Sequence, residues 1–187
     1  MREARRLERR AWLIRHGADC IVPSVTRAAL LAIFILQLPA PGIALAQEAV
    51  YVVRHAERLD QSADSVLSPE GVGRSHKLRD LLREAGITHI FTSELRRTID
   101  TAKPLAEALK VTPQTLPGAD VATLASRLAS LGARDRALVV GHSNTVPQLL
   151  RALKIDTAVI VNDSDYDNLF IVVPVKESAP SLLRLKF

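Results

Sequence analysis

The stretch Val50-Tyr51-Val52-Val53-Arg54-His55-Ala56-Glu57 decides how the rest of the chain is read. A short, apolar, β-branched run suited to a buried parallel strand stops at an arginine and a histidine. Two polar side chains thereby stand at a strand's carboxyl end, the edge at which open α/β sheets bind ligands. Two later stretches repeat the design: His89-Ile90-Phe91-Thr92-Ser93-Glu94-Leu95-Arg96-Arg97, and Ala137-Leu138-Val139-Val140-Gly141-His142-Ser143. Together the three runs would deliver Arg54, His55, Arg97 and His142 to one edge of one sheet. Two arginines and two histidines there describe an anion pocket with a nucleophile in it.

Working outward, residues 58–66 are polar and aperiodic, as expected of a loop crossing the mouth of a site. Ser68, Pro69 and Glu70 predict a helix start, Leu78, Leu81, Leu82 and Ala85 give it helical spacing, and Gly86 stops it. Residues 87–93 form the second strand. A helix over 94–109 carries Leu95, Ile99, Ala102, Leu105, Ala106 and Leu109 toward the sheet, with Arg97 in or just before its first turn. A short strand follows within 110–117, then a helix over about 120–131, a strand over 137–142 and a helix over 145–153. The turn at 162–167 leads into β segments over 169–175 and 182–187, the last at the sheet's edge. This alternation predicts a three-layer α/β/α sandwich with a mostly parallel central sheet. His76 reads as a solvated helix residue and His89, at the opposite end of its strand, as structural.

The net charge of +5 suggests a nucleic-acid partner until its location is considered. Residues 1–46 hold seven basic and three acidic side chains of the chain's 25 and 20, leaving 18 against 17 in the remainder. The excess belongs to the leader, and nucleic-acid binding is discarded. The leader reads as an export signal: Arg27, the apolar run Ala28–Leu38, then Pro39, Pro41, Gly42 and a small-residue site at Ala44-Leu45-Ala46. Cleavage after Ala46 would leave residues 47–187 as one periplasmic or secreted domain, with contact to a membrane only through the leader during export. Arg15-His16 lies in the leader and carries no chemistry in this reading. Cys20, the single cysteine, lies there too, so the domain would have no disulfide.

A neutral histidine can attack phosphorus, and the planar forks of two arginines with a second histidine can hold the phosphoryl oxygens. No metal or cofactor is called for: His55 and His142 lack metal-ligand spacing, and the flanking arginines would repel a cation.

Arg54-His55-Ala56-Glu57, Ser93-Glu94-Leu95-Arg96-Arg97-Thr98 with Thr101-Ala102, and Gly141-His142-Ser143-Asn144 resemble, in order and spacing, the phosphoglycerate-mutase-like branch (branch 1) of the histidine phosphatase superfamily. The resemblance runs from about Ala49 to Phe187 and is greatest to small phosphohistidine-phosphatase-like members. It implies a phosphohistidine intermediate on His55, with Arg54, Arg97 and His142 as the phosphate pocket. The chain departs from the mutase-type Arg-His-Gly at Ala56. The family's general-acid segment is short here, leaving Asp120 as the candidate acid, although it also suits a helix N-cap. The expected activity is metal-independent hydrolysis of phosphomonoesters or phosphoramidates, on a small phosphorylated substrate or a phosphoprotein. The alternatives are a catalytically weak phosphate-binding module, an envelope sugar-phosphate phosphatase, or a mutase.

Overall fold

The computed structural model describes residues 48–175 and 178–187; the proposed leader and its cleavage site lie outside the described residues. Six strands form one sheet: β1 (Ala49–Arg54), β2 (His89–Ser93), β3 (Gln114–Leu116), β4 (Arg136–Gly141), β5 (Asn168–Val173) and β6 (Ser181–Lys186). Four helices separate the first five: α1 (Pro69–Leu82) after β1, α2 (Arg96–Leu109) after β2, α3 (Val121–Ala129) after β3 and α4 (Thr145–Ala152) after β4. The sheet order is β3-β2-β4-β1-β5-β6. β3, β2, β4 and β1 are mutually parallel, whereas β5 pairs antiparallel with β1 and β6 antiparallel with β5. The predicted sandwich with a mostly parallel sheet is thus the observed fold; β6 lies antiparallel to β5 because the connection over 174–180 has no room for a helical crossover.

Alternation along the strands divides the core into two layers. Val50, Val52, Ala137 and Val139 point to one face, where α3 and α4 cover them with Leu128, Val146, Leu149 and Leu150. Val53, Leu138, Val140 and Ile90 point to the other, against Leu78, Leu82, Ala102 and Leu105 of α1 and α2. Ile99, expected to face the sheet, is exposed, and so is Leu81, which shares the helical spacing of α1. The buried positions of α1 are Gly71, Ser75, Leu78 and Leu82, and those of α2 are Thr98, Thr101, Ala102, Leu105 and Ala106. Leu81 and Ile99 lie on the margins of these stripes, and the small or hydroxylated residues inside the stripes let the helices approach the sheet closely. Elements also start and stop slightly inside the expected limits, α2 at Arg96 and α3 at Ala129.

α1 begins as expected. Ser68 accepts a hydrogen bond from the Gly71 amide at 3.1 Å, and Pro69 occupies the first turn. This end of the helix is fastened to the segment just beyond His55. The Ser68 amide donates to the Glu57 carbonyl at 2.9 Å, and Arg74 grips the half-buried Glu57 carboxylate through Nε and Nη2 at 2.6–2.9 Å while donating to the Phe187 carbonyl. A Cβ at Gly71 would come within 2.2 Å of the Glu57 carbonyl oxygen, whereas one at Gly73 would meet nothing within 4 Å.

That contrast gives opposite outcomes for one chemical change in one helix. Gly73→Ala should stabilise by roughly 1 kcal/mol through helix propensity. Gly71→Ala should destabilise by about 1–3 kcal/mol, because backbone must move to admit the methyl. Urea denaturation of the two variants beside the parent measures both; stabilisation by Gly71→Ala would refute the close approach.

Candidate active site

The site begins with a register. β1 and β4 run side by side with Val53 opposite Val140 and Arg54 opposite Gly141. The His55 amide continues the ladder by donating to the Gly141 carbonyl at 2.9 Å. Their next residues, His55 and His142, therefore leave the sheet as neighbours, with ring centroids 5.3 Å apart. On the far side of β4, Thr92 of β2 pairs with Val140, so Ser93 ends level with Gly141, just before His142, and α2 starts three residues later. Arg97 is the second residue of α2. All four predicted residues line one cavity of about 300 Å³, together with Arg58, Glu94, Ser143 and Asp163.

Each side chain is fixed by its neighbours. Arg54, 4% exposed, donates from Nη1 to the Asn162 carbonyl at 2.8 Å, lies 4.2 Å from the centre of the Tyr166 ring, and places Nη2 3.5 Å from Asp163. Arg97 donates from Nη1 to the Ala63 carbonyl at 2.7 Å. Asp64 of the same loop accepts from the Arg96 amide at 2.8 Å, capping α2 from outside its own sequence. The loop expected at the mouth therefore aims Arg97. The Nε atoms of both arginines are buried and have no hydrogen-bond partner among the described residues. Burial, then the nearby Arg58, lower the Arg97 pKa, with Arg54 adding to the effect. Positive charge has been concentrated here faster than protein acceptors answer it, which is the electrostatic signature of an anion site.

The histidines are held neutral. His55 is pushed down to about 3, by burial first and then by Arg54, His142 and Arg97 against an opposing hydrogen bond to the Ala56 carbonyl. That bond, 2.7 Å from Nδ1, assigns the tautomer: a carbonyl only accepts, so Nδ1 carries the proton and Nε2 carries the lone pair. His142 is lowered to about 4, by burial and then by Arg97. Its Nε2 lies 3.0 Å from the Ser93 hydroxyl, which lies 2.9 Å from the Thr98 hydroxyl. Thr98 donates to the carbonyls of Leu95 and Ser93, so Ser93 donates to Thr98 and accepts from His142 Nε2–H. Two neutral imidazoles with defined tautomers result.

Asp120 does not join them. Its carboxylate accepts from the Thr123 amide at 3.0 Å as the N-cap of α3, which holds its pKa down, and it borders an apolar recess of about 30 Å³ that adjoins the cavity through Gly118, His142 and Thr145. The N-cap reading of Asp120 holds. Two other carboxylates do line the cavity. Glu94 accepts from the Gly118 amide at 2.7 Å, and Asp163 accepts from the Ser143 hydroxyl at 2.8 Å. Sequence reasoning passed over both, although Glu94 stands inside the second motif and Asp163 inside the acidic turn. Ser93, a mid-motif hydroxyl, and Tyr166 were passed over likewise. Among the described residues no group of three or more His, Cys, Asp or Glu side chains is placed to hold a metal ion.

Lowered histidine pKa values tie stability to pH. In the unfolded chain these histidines take protons near 6.5, while in the fold they resist until about 3 and 4. Stability from both is therefore complete above pH 6.5 and declines as pH falls from there toward 3, where the unfolded state binds more protons. Urea midpoints measured from pH 7.5 to 4 should fall with acid, and His55→Gln should flatten part of that decline. An unchanged slope in the variant would contradict the burial argument.

Residues 50–120 match the model described as "Histidine phosphatase superfamily (branch 1)", a segment holding Arg54, His55 and Arg97, with His142 beyond it. The probable phosphoglycerate mutase GpmB of Yersinia pestis (strain Pestoides F) is 40% identical over 75 residues, 36% of this chain and 35% of that protein. GpmB of Proteus mirabilis (strain HI4320) is 34% identical over 99 residues, 47% and 46% of the two. The matched region thus spans less than half the length of these curated relatives. Among solved structures, the protein histidine phosphatase SixA complexed with tungstate superposes with a TM-score of 0.60 at 18% identity, covering 74% of this chain and 96% of that one. A mycobacterial glucosyl-3-phosphoglycerate phosphatase does so with a TM-score of 0.57 at 17% identity, covering 75% and 98%. At these identities the likeness is one of fold.

Proposed function

We propose that the chain, whose residues 50–120 match the histidine phosphatase superfamily (branch 1), is a member of that superfamily and a metal-independent phosphatase acting on phosphomonoesters or phosphoramidates through a phosphohistidine on His55. The observation that carries this reading is the bare Nε2 of a buried, neutral His55, its proton committed to the Ala56 carbonyl, in a cavity shared with Arg54, Arg97 and His142.

Nε2 attacks phosphorus as the bond to the leaving oxygen or nitrogen breaks and its electron pair departs with the leaving group, which takes up a proton. Arg54 and Arg97 supply donors to the non-bridging oxygens, where the transition state spreads negative charge. Arrival of the anion offsets the arginines that keep His142 neutral and favours its imidazolium, which donates from both nitrogens. Water then attacks phosphorus, the N–P bond breaks, phosphate leaves, and Nε2 regains its lone pair while the water's proton passes to solvent. The arginines stand where a metal ion would otherwise neutralise the phosphate, so the chemistry needs none.

A mutase is the second reading, supported by the name of the GpmB relatives. The cavity opens to solvent beside the exposed Asp163, which favours water over a retained acceptor. We also propose that the leader directs export and is removed after Ala46. The support is its apolar run followed by prolines and small residues, with β1 starting only at Ala49, so a cut there spares the sheet.

The full chain should hydrolyse p-nitrophenyl phosphate in EDTA, and His55→Ala should lower kcat by at least about a thousandfold, the scale seen when a nucleophile is removed. Acid-labile label from a ³²P-substrate should appear on the parent and not on the variant. Turnover that survives in His55→Ala would sink the mechanism, and absence of turnover in both would favour a binding role. For export, N-terminal sequencing of protein from a periplasmic fraction should begin at Gln47.

A further inference from the structure

Two of the charged residues lining the cavity have the wrong sign for phosphate and no part in the steps above. Glu94 is bound only by the neutral Gly118 amide, so its charge is not cancelled by an ion pair among the described residues. Asp163, 86% exposed, is bound by the neutral Ser143 hydroxyl and touches Arg54 only at 3.5 Å. They stand on different sides of the reacting histidines. The charge of Asp163 is felt by Arg54, Arg58 and His55, and that of Glu94 by Arg97 and His142. Arg54, nearly fully buried with an unpartnered Nε, still marks the position of an anion between them. A bare phosphate dianion entering that position meets two fixed negative charges. A carboxylate on its leaving group would add a third repulsion.

We infer that the site selects phosphates whose leaving group carries a positive charge, an ammonium within a few bonds of phosphorus, drawn by the negative field of Glu94 on one side of the histidines and of Asp163 on the other. This rests on the phosphatase reading above. The chemistry suits it for a second reason. Asp120 and Asp163 are both held in their ionised forms by hydrogen-bond donors, so neither stands ready to protonate an alkoxide. An aminoalkyl phosphate brings its own acid: as the P–O bond breaks, the leaving oxygen takes a proton from the ammonium, and a neutral amino alcohol departs. Whichever carboxylate the ammonium approaches attracts it while the phosphate is intact and has no charge to hold once the amine is neutral.

The rival explanation is that these carboxylates merely fasten loops, Glu94 holding Gly118 and Asp163 holding Ser143. Isosteric amides separate the two, because Gln and Asn can still accept those hydrogen bonds but carry no charge. Three substrates are compared: O-phosphoethanolamine, 3-phosphoglycerate and p-nitrophenyl phosphate, whose leaving groups are cationic, anionic and without fixed charge. For the parent, kcat/KM should be highest for O-phosphoethanolamine relative to 3-phosphoglycerate, and the ratio should shrink as salt is raised. E94Q and D163N should each lower the ratio by about fivefold, the upper range for an exposed charge pair. The parent alone supplies an independent reading: O-phosphoethanolamine should inhibit p-nitrophenyl phosphate turnover more strongly than 3-phosphoglycerate does. Turnover of p-nitrophenyl phosphate with no preference for the ammonium, or a preference that survives in both amide variants, overturns this inference and leaves the phosphatase reading standing. Failure to turn over any of the three overturns both.

Discussion

The parallel pairing of β1 with β4 is the constraint from which the site follows. Val53 against Val140 and Arg54 against Gly141 fix where each strand runs out, and the amide of His55 adds one more rung. A slip of one residue would turn His55 or His142 to the opposite face of the sheet and separate them. The register is in turn fixed by burial, because both strands are apolar on both faces and each face meets its own helix pair. The histidine pair is therefore held by the packing of the whole central sheet. Loops contribute the remainder: the segment from Ala63 to Asp64 aims Arg97 and caps α2, and the segment from Asn162 to Tyr166 holds Arg54.

Placing those groups at a buried strand end has an electrostatic consequence. An arginine so little exposed is normally answered by a carboxylate at hydrogen-bond distance. Here Arg54 is answered by a carbonyl, an aromatic face and a carboxylate at arm's length, which leaves its charge free to act on the histidines. Burial first, and these charges after it, hold both histidines neutral. An imidazole that stays neutral throughout the physiological range needs no separate base to expose its lone pair. Glu57, the carboxylate that the sequence places nearest His55, is spent on Arg74, where it ties the strand end to α1 without quenching the pocket.

How much of this could be read from the sequence depends on whether a feature is local. Strand ends marked by Arg54-His55, Ser93 and Gly141-His142 were legible because a parallel strand buried on both faces is a continuous apolar run with an abrupt polar stop. Ser68-Pro69 and Gly86, which has a φ of +68°, were legible because caps and left-handed turns constrain residue type at single positions. The orientation of Leu81 and Ile99 was not, since both satisfy helical spacing and only the sheet they meet decides which side of the stripe is buried. The capping of α2 by Asp64, 32 residues earlier, has no local signature at all. Asp163 reads in isolation as one acidic residue in a polar turn, and becomes part of the cavity only because β5 returns beside β1.

The same reasoning explains why the two carboxylates can coexist with a phosphate pocket. A charge of the wrong sign is tolerated near an anion site if it is solvated, and both Glu94 and Asp163 lie on the exposed rim while Arg54 and His55 lie beneath. Water screens the rim and leaves the floor largely unscreened, so a charge on the floor acts on a bound anion more strongly than one on the rim. The fold positions the floor through strand register and the rim through loops, so the rim can change from chain to chain without disturbing the pairing that brings the histidines together.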